Sequence, residues 1–160
     1  MAAGEMKVRE VSNRKAYHRY EVMQRFEAGI VLQGTEVKSF RDGLAQIEDA
    51  FVRIDRNGVP VLLNAHIDEY HHGTDANHLP KQPRRLLLHR KEIEKLRGRQ
   101  EIGGMAIIPL RMYLKKGMVK VEIALCKGKS LHDKRRALRE RVENREAQRE
   151  LARRPISHNR

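Results

Sequence analysis

Apolar side chains recur at about every second position in several short stretches, the spacing of strands with one buried face. The clearest case lies late in the chain. Ala106, Ile108, Leu110, Met112 and Leu114 alternate with Ile107, Pro109, Arg111 and Tyr113. Lys115-Lys116-Gly117 then turns the chain, and Val119, Val121, Ile123 and Leu125 alternate with Lys120, Glu122 and Ala124. Pro109 has no N–H to give a central ladder, so an edge or bulge position is expected there. A second hairpin is predicted over residues 44–67. Ala50, Val52 and Ile54 alternate with Phe51 and Arg53, RNGVP turns with Asn57-Gly58 supplying positive φ, and Val61, Leu63, Ala65 and Ile67 continue at period two. Further upstream, Tyr20, Val22 and Phe26 favour a strand, with Gly29 permitting a bulge or bend.

Between these strands the pattern changes. In GTEVKSFRDG, Thr35 is a candidate cap, Glu36 suits a first turn, Lys38 and Arg41 suit a last turn, and Gly43 can close a two-turn helix. DEYHHGTDANHLPKQPRR (68–85) has no period and is expected to be a long loop. LLLHRKEIEKLRGRQ (86–100) has Leu88, Ile93 and Leu96 at helical spacing and stops before Gly103-Gly104. About six short strands with two inserted helices point to a mainly β chain folded as a small, closed or nearly closed barrel. Residues 1–12 are expected to be a flexible lead-in, 13–130 the barrel, and 131–160 a basic tail.

That tail changes the picture most. HDKRRALRERVENREAQRELARR has the composition of a helix but almost no apolar face, with Leu138, Val142 and Leu151 its only large aliphatics. Residues 127–160 carry 12 basic and 5 acidic side chains, against 22 and 16 in the 126 residues before them; the whole chain of 160 residues has a formal charge of +13. Such asymmetry implies a polyanionic partner, RNA or DNA first. A membrane is disfavoured, because apolar runs are only a few residues long, the N-terminus has no signal-peptide segment, and the tail lacks a broad apolar face. A lone cysteine, Cys126, fits a packed thiol in a reducing, cytoplasmic setting.

NRKAYHRY (13–20), EAGIVLQGTEVKS (27–39), NHLPKQPRRLLLHRKEIEKL (77–96) and ALCKGKSLHDKR (124–135), in this order and followed by the basic tail, resemble the SmpB family of SsrA-binding (tmRNA-binding) proteins. The resemblance runs from about Asn13 to the C-terminus. It implies an OB-like barrel that binds the tRNA-like end of tmRNA and delivers it to ribosomes stalled on truncated messages. Three positions depart from the family pattern: Arg19 stands where an acidic residue is usual, Leu79 replaces the carboxylate of NHDP, and Ser130 replaces the last lysine of GKK.

By the same resemblance, Glu27, Leu87 and His89 belong to the patch that holds the tRNA-like elbow. The bland alternatives are an exposed strand carboxylate, a core leucine and a helix cap. Lys15, Lys38, Arg41, Arg84, Arg85 and Arg90 are candidate phosphate ligands, with PRRLLLHR the strongest cluster. No Trp, three Phe and four Tyr leave too few platforms for a row of stacked bases, so recognition by shape, phosphate and a few base edges is expected. In the tail, Arg136 with Glu140, Arg139 with Glu143 and Glu150 with Arg154 are i,i+4 pairs worth roughly 0.2–0.5 kcal/mol each. Arg141–Arg145 and Glu146–Glu150 oppose them. An unpacked helix this long is marginal in water, so the tail is expected to order on RNA and to be helical when bound. From Asp133 to Arg154 it would span about 33 Å. The resemblance assigns it to the empty mRNA channel and small-subunit rRNA, with His132 at the decoding centre, Asp133, Lys134 and Arg135 beside it, and Arg139, Arg145 and Arg153 along the channel. A solubilising arm, or a surface helix packed through Leu138 and Val142, remain the alternatives from charge alone.

Other classes find less support. His66, His71, His72, Asp75 and His78 crowd one loop, but without HExxH or comparable helical spacing, so a metal-dependent hydrolase is a weak alternative and no metal or cofactor is expected. EAGIVLQG and KGKS lack the phosphate-loop spacing, no Ser/His/Asp set is visible, and no small-molecule substrate is implied. A general ribosome-associated OB-type RNA binder is the nearer competitor, since it shares the basicity.

Overall fold

The structure is a computed structural model that describes residues 10–73, 75–129 and 131–153, with Leu131–Lys134 and Ala137 described by backbone alone. It divides into two compact units between Gly128 and Lys129.

The first unit is an antiparallel barrel. Its elements are β1 (Glu10–Ser12), α1 (Arg14–Arg19), β2 (Tyr20–Ile30), α2 (Gly34–Arg41), β3 (Ala45–Gln46), β4 (Phe51–Ile54), β5 (Pro60–Leu63), β6 (His66–Ile67), β7 (Arg84–Leu87), α3 (Arg90–Gln100), β8 (Met105–Lys115) and β9 (Met118–Gly128). Hydrogen bonding runs β8-β4-β5-β7-β2-β9, and β9 pairs back onto β8, closing a ring of six strands. The chain is therefore a small OB-like barrel with inserted helices, as expected. β1 adds outside the ring on β8, with Val11 opposite Met112, so the end of the expected lead-in is a strand. Residues 1–9 lie outside the described residues.

Phe26, Phe40, Leu62, Leu86, Leu96, Met112, Val121 and Ile123 fill the interior. A second cluster of Ala16, Ile108, Leu110, Ala124 and Cys126 lies outside the sheet beneath α1. The two clusters explain why the alternation in β8 does not mark one face throughout. The β8–β9 register shifts between Pro109 and Arg111, a bulge that sends Leu110 to the outer cluster and Met112 to the interior. Pro109 thus sits beside the irregularity its missing N–H suggested. The β8–β9 turn uses Lys116 and Gly117 with φ of 52° and 76°, the positive pair of a tight hairpin.

Asn13 fastens α1. Its Oδ1 accepts from the Ala16 amide at 3.2 Å, and its Nδ2 donates to the carbonyls of Pro109 at 2.9 Å and Ile47 at 3.3 Å. One buried side chain thereby caps a helix and joins it to two distant segments.

Several local expectations need correction. α2 begins at Gly34 with Gln33 as its cap, whose amide donates to Glu36 Oε2 at 2.7 Å; Thr35 instead points its hydroxyl at His78 Nδ1, 2.9 Å away. In the β4–β5 turn only Gly58 has positive φ, at 79°, because Asp55 Oδ1 organises the loop by accepting from the amides of Asn57 and Val59. Val61 and Leu63 do not share a face with Ala65 and Ile67. Pro60 and Leu62 are the inward residues of β5, and Asn64, at φ 62°, switches the phase before Ala65. Gly29 is no bend. The bulge in β2 lies between Val22 and Gln24, and Gly29 is where β7 comes close: a Cβ there would stand 3.2 Å from Leu87 Cβ.

The largest correction is β7. Residues 84–87 form a strand between β5 and β2, and α3 starts only at Arg90. Its inward residues are Leu86 and Arg84. Arg84 is buried and its Nε lies 2.7 Å from Glu36 Oε1, with both side chains 1% exposed. Nη1 donates to Ala65 O at 2.8 Å and Nη2 to Pro80 O at 2.9 Å. Glu36 also accepts from Gln82 Nε2 at 2.9 Å. Arg84 is thus a structural cation and is not available to phosphate.

The second unit contains α4 (Leu131–Arg153), with Leu138, Val142 and Leu151 exposed. Arg136 and Glu140 form the expected i,i+4 pair at 3.4 Å. Arg154 and Ser130 lie outside the described residues. No helix among the described residues is long and apolar enough to cross a membrane.

Glu36→Leu or Arg84→Met alone should lower the unfolding free energy by about 3–5 kcal/mol, because each strands a buried charge. The double substitution should cost less than the sum of the two. Urea unfolding of the three variants measures this.

Candidate nucleic-acid interface

One cleft of about 530 Å³ opens between β2, β7 and the β8–β9 turn. Glu27, Leu87 and His89 all line it, together with Met118 and Lys120. The fold brings these residues together for definite reasons. Alternation in β2 points Phe26 and Ala28 inward and leaves Glu27 outside. Alternation in β7 buries Leu86 and leaves Leu87 51% exposed, which removes the core alternative for that residue. His89 caps α3: its carbonyl accepts from the amides of Glu92 and Ile93 at 3.0 Å, and its amide faces Glu92 Oε2 at 3.4 Å. The ring of His89 remains exposed at the mouth of the cleft. Lys120 and Met118 were missed by sequence reasoning, although their outward phase in β9 follows from the Val119/Val121 alternation.

Glu27 is held from one side. Tyr113 Oη donates to its Oε2, and Lys115 Nζ lies 3.1 Å from Oε1. These two partners, Tyr113 first, hold the Glu27 carboxyl below the ordinary 4.5. Burial, reinforced by the bond to Glu27, pushes the Tyr113 phenol up to about 12. The same sheet face continues as a ladder of opposite charges. Glu122 accepts from Arg111 at 3.0 and 3.1 Å and from Arg25 at 3.4 Å, and Arg111 also reaches Glu10 at 3.6 Å. Arg111 lies 4.6 Å from the centre of the Tyr113 ring. Glu27 and Glu122 are direct cross-strand partners, a repulsive arrangement on its own that these cations offset.

The predicted cations are scattered. Arg85 is exposed on β7, two residues before Leu87 and on the same outward face. Lys38 and Arg41 are exposed on α2, with the Lys38 ammonium 5.2 Å from the centre of the Tyr70 ring. Arg90 is exposed and pairs with Glu94 at 3.4 Å. Lys15 lies on α1 and pairs with Glu48 at 3.0 Å, beside a separate cleft that Glu48 lines. Arg19, the departure from the family pattern, stands 3.9 Å from Asp49 at that second cleft, and Leu79 is 69% exposed. On α4, Arg135, Arg139, Arg145 and Arg153 are exposed, while the side chains of His132, Asp133 and Lys134 are outside the described residues.

The histidine loop has other work. His78 is buried, with Nε2 at 3.0 Å from Ile67 O and Nδ1 on Thr35. His66 bonds Asp68 at 2.6 Å, and His72 packs edge-on to Tyr70. Among the described residues no group of three or more His, Cys, Asp or Glu converges on a metal position. Burial pushes the Cys126 thiol up to about 11, which leaves it protonated and packed.

A closed OB-like barrel, with a cleft of mixed polar and apolar character on its strand face and Lys120 in the lining, is an architecture that nucleic-acid-binding barrels use. Comparison with known proteins narrows this. The family model for SmpB protein matches residues 10–153. The SsrA-binding protein of Mycolicibacterium smegmatis is 52% identical over 143 residues, covering 89% of this chain and 88% of that one. That of Syntrophobacter fumaroxidans is 50% identical over 137 residues, covering 86% and 84%. A chain from a solved structure described as "tmRNA-SmpB: a journey to the center of the bacterial ribosome" superposes with a TM-score of 0.64 at 41% identity, covering 78% of this chain and 85% of that one. The chain belongs to the SmpB family.

In a carbon-detected NMR titration the Glu27 carboxyl should titrate below 4.5, and Tyr113→Phe should move it upward by removing its main donor.

Proposed function

We propose that this chain binds the tRNA-like domain of tmRNA through its barrel and delivers that RNA to stalled ribosomes for trans-translation in the bacterial cytoplasm. Its tail would occupy the empty mRNA channel of the small subunit and reach the decoding centre. The role is binding and delivery, with no bond made or broken by the chain. One observation carries the barrel half: Glu27, Leu87 and His89, from segments some sixty residues apart in sequence, line a single cleft. The names of the relatives and of the structural neighbour support the partner.

The chemistry of the cleft suits a folded RNA. Glu27 accepts hydrogen bonds, His89 donates or stacks, and Leu87 and Met118 offer apolar contact to an unstacked base. Arg85 stands where a phosphate can approach, and Lys38, Arg41, Arg90 and Lys15 supply further cations around the barrel. The tail acts by a different principle. α4 exposes its arginines along a rod with too little apolar surface to be stabilised by packing, so phosphates on both sides are what would favour its helix. His132, Asp133, Lys134 and Arg135 would enter the decoding centre first, with Arg139, Arg145 and Arg153 following in the channel.

Two neighbouring arginines separate binding from folding. Arg85→Ala should weaken tmRNA binding and reduce the salt slope by about 0.7–0.9 log units per decade while leaving the melting temperature unchanged. Deleting residues 131–160 should spare tmRNA affinity, measured by filter binding, and abolish tagging of stalled peptides in a reconstituted translation system. Loss of RNA affinity on truncation would overturn the division of labour between barrel and tail. Equal affinity of the full chain for bulk tRNA and tmRNA would favour a general RNA binder.

A further inference from the structure

We propose that the barrel opens along one seam, between β4 and β8, and that Gln100 is the clasp that keeps it shut. The ring consists of two half-sheets. β8, β9 and β2 pair along nearly their whole lengths, and β4, β5 and β7 make the other half. Two joints connect the halves, on opposite sides of the ring. At the β2–β7 joint, Gly29 pairs with Leu87 and Ile30 with Leu86, and the Val31 amide donates to Arg85 O at 2.9 Å. The buried Arg84–Glu36 pair reinforces it. At the β4–β8 joint a single residue pair remains, Val52 with Ile107.

Side-chain amides stand in for a strand on either side of that pair. The Asp55 amide donates to Val59 O, so alternation along β4 turns Arg53 toward β5 and turns Val52 and Ile54 toward the seam. Ile54 meets no strand there. Gln100 Oε1 accepts from its amide at 3.0 Å and Gln100 Nε2 donates to its carbonyl at 3.1 Å, the two bonds that an antiparallel partner would make. On β8, Pro109 has no N–H to satisfy. Its carbonyl accepts from Asn13 Nδ2, which also donates to Ile47 O on the approach to β4. These backbone groups are satisfied, but by two side chains and not by a ladder. The nearby Lys15–Glu48 and Arg19–Asp49 pairs are solvent-exposed and add little. A cleft of about 480 Å³ lies over the seam, lined by Phe51, Arg53, Gln100, Met105 and Ala106.

Opening uncovers Val52, Ile54 and Ile107, all buried in the closed barrel, so the open form is a rare excursion. It costs less than unfolding, because the β2–β9 and β8–β9 ladders stay intact. Its consequence falls on the opposite joint. Glu27 and Lys120 line one wall of the cleft there and belong to the β8-β9-β2 half, while Leu87 belongs to the other half. His89 leads into α3, which is tied to the β4–β5 hairpin by Gln100 and by Arg97 Nη2, donating to Arg56 O at 3.2 Å. A swing of one half against the other therefore changes the distance between the walls of that cleft, whatever ligand it takes.

Native-state hydrogen exchange of the full chain, read by NMR where exchange tracks the open population, tests this. In the wild type, the Val52 and Ile107 amides should exchange about tenfold faster than those of Phe26 and Ile123 in the β2–β9 ladder, after correction for intrinsic rates. The Leu87 amide at the opposite joint should stay as slow as the ladder. Gln100→Met keeps a side chain of similar length and good helix propensity but removes both bonds to Ile54. It should speed Val52 and Ile107 by about a further tenfold and leave Phe26, Ile123 and Leu87 unchanged. Equal protection of seam and ladder in the wild type overturns the proposal. Seam rates that Gln100→Met leaves unchanged, or an acceleration shared evenly by all five amides, overturn the role of Gln100 as clasp. Should that variant not fold, the wild-type comparison alone decides whether the seam opens, and Gln100→Glu, which keeps the acceptor for the Ile54 amide and loses the donor, takes its place.

Discussion

Arg84 and Glu36 meet at 2.7 Å inside a barrel whose core cluster is aliphatic and aromatic. An ion pair in such a place costs several kcal/mol in lost hydration, and it persists only when the remaining donors and acceptors are satisfied. Here they are. The guanidinium reaches the carbonyls of Ala65 and Pro80, and the carboxylate accepts from Gln82 and from the Gln33 amide at the start of α2. The pair thus ties α2, β7 and the 64–82 segment to one point. β7 is the strand that joins β5 to β2, so the ring closes through it. The cleft depends on the same closure, because Leu87 and His89 follow directly from Arg84 along the chain. A charge that looks like an RNA ligand therefore acts at one remove, by placing the groups that line the cleft.

The strands β2, β9 and β8 serve two purposes on opposite faces. Inward, Phe26, Val121, Ile123 and Met112 make the barrel core. Outward at one end, Ile108, Leu110, Ala124 and Cys126 pack under α1, which Asn13 fastens by three side-chain hydrogen bonds. Outward at the other end, the same strands carry Arg25, Glu27, Glu122, Arg111, Tyr113 and Lys115 as an interlocked polar surface. The β8 bulge separates these two outer regions by shifting the phase of the strand. A rigid sheet with a fixed polar face suits recognition of a folded nucleic acid, since its side chains lose little further freedom on binding.

Legibility in the sequence followed the range of the interactions. The β8–β9 hairpin was readable because alternation, a KKG turn and the awkward Pro109 are all local signals. α2 was readable to within a residue from Glu36, the basic last turn and Gly43. β7 was not, because a strand that buries an arginine breaks the apolar pattern, and its partner Glu36 lies 48 residues away. The phase switch at Asn64 also hides in the sequence. One left-handed residue inverts every later side chain, while the letters on either side still alternate. Among the site residues, Glu27, Leu87 and His89 came from family resemblance, and neither periodicity nor composition distinguished them from a strand carboxylate, a core leucine and a cap.

Composition and short-range pattern by themselves determined that this chain is a small β-rich barrel with a cationic helical appendage, because strand alternation, turn chemistry and charge density are properties of neighbouring residues. Only the tertiary structure decided which arginine of the Arg84–Arg85 pair faces solvent, which outward residues share the cleft, and that Tyr113 and Lys115 hold Glu27. Those outcomes depend on register between strands that sequence separates by about twenty to about a hundred positions. A shift of one residue in pairing would exchange inside for outside while leaving every local pattern unchanged.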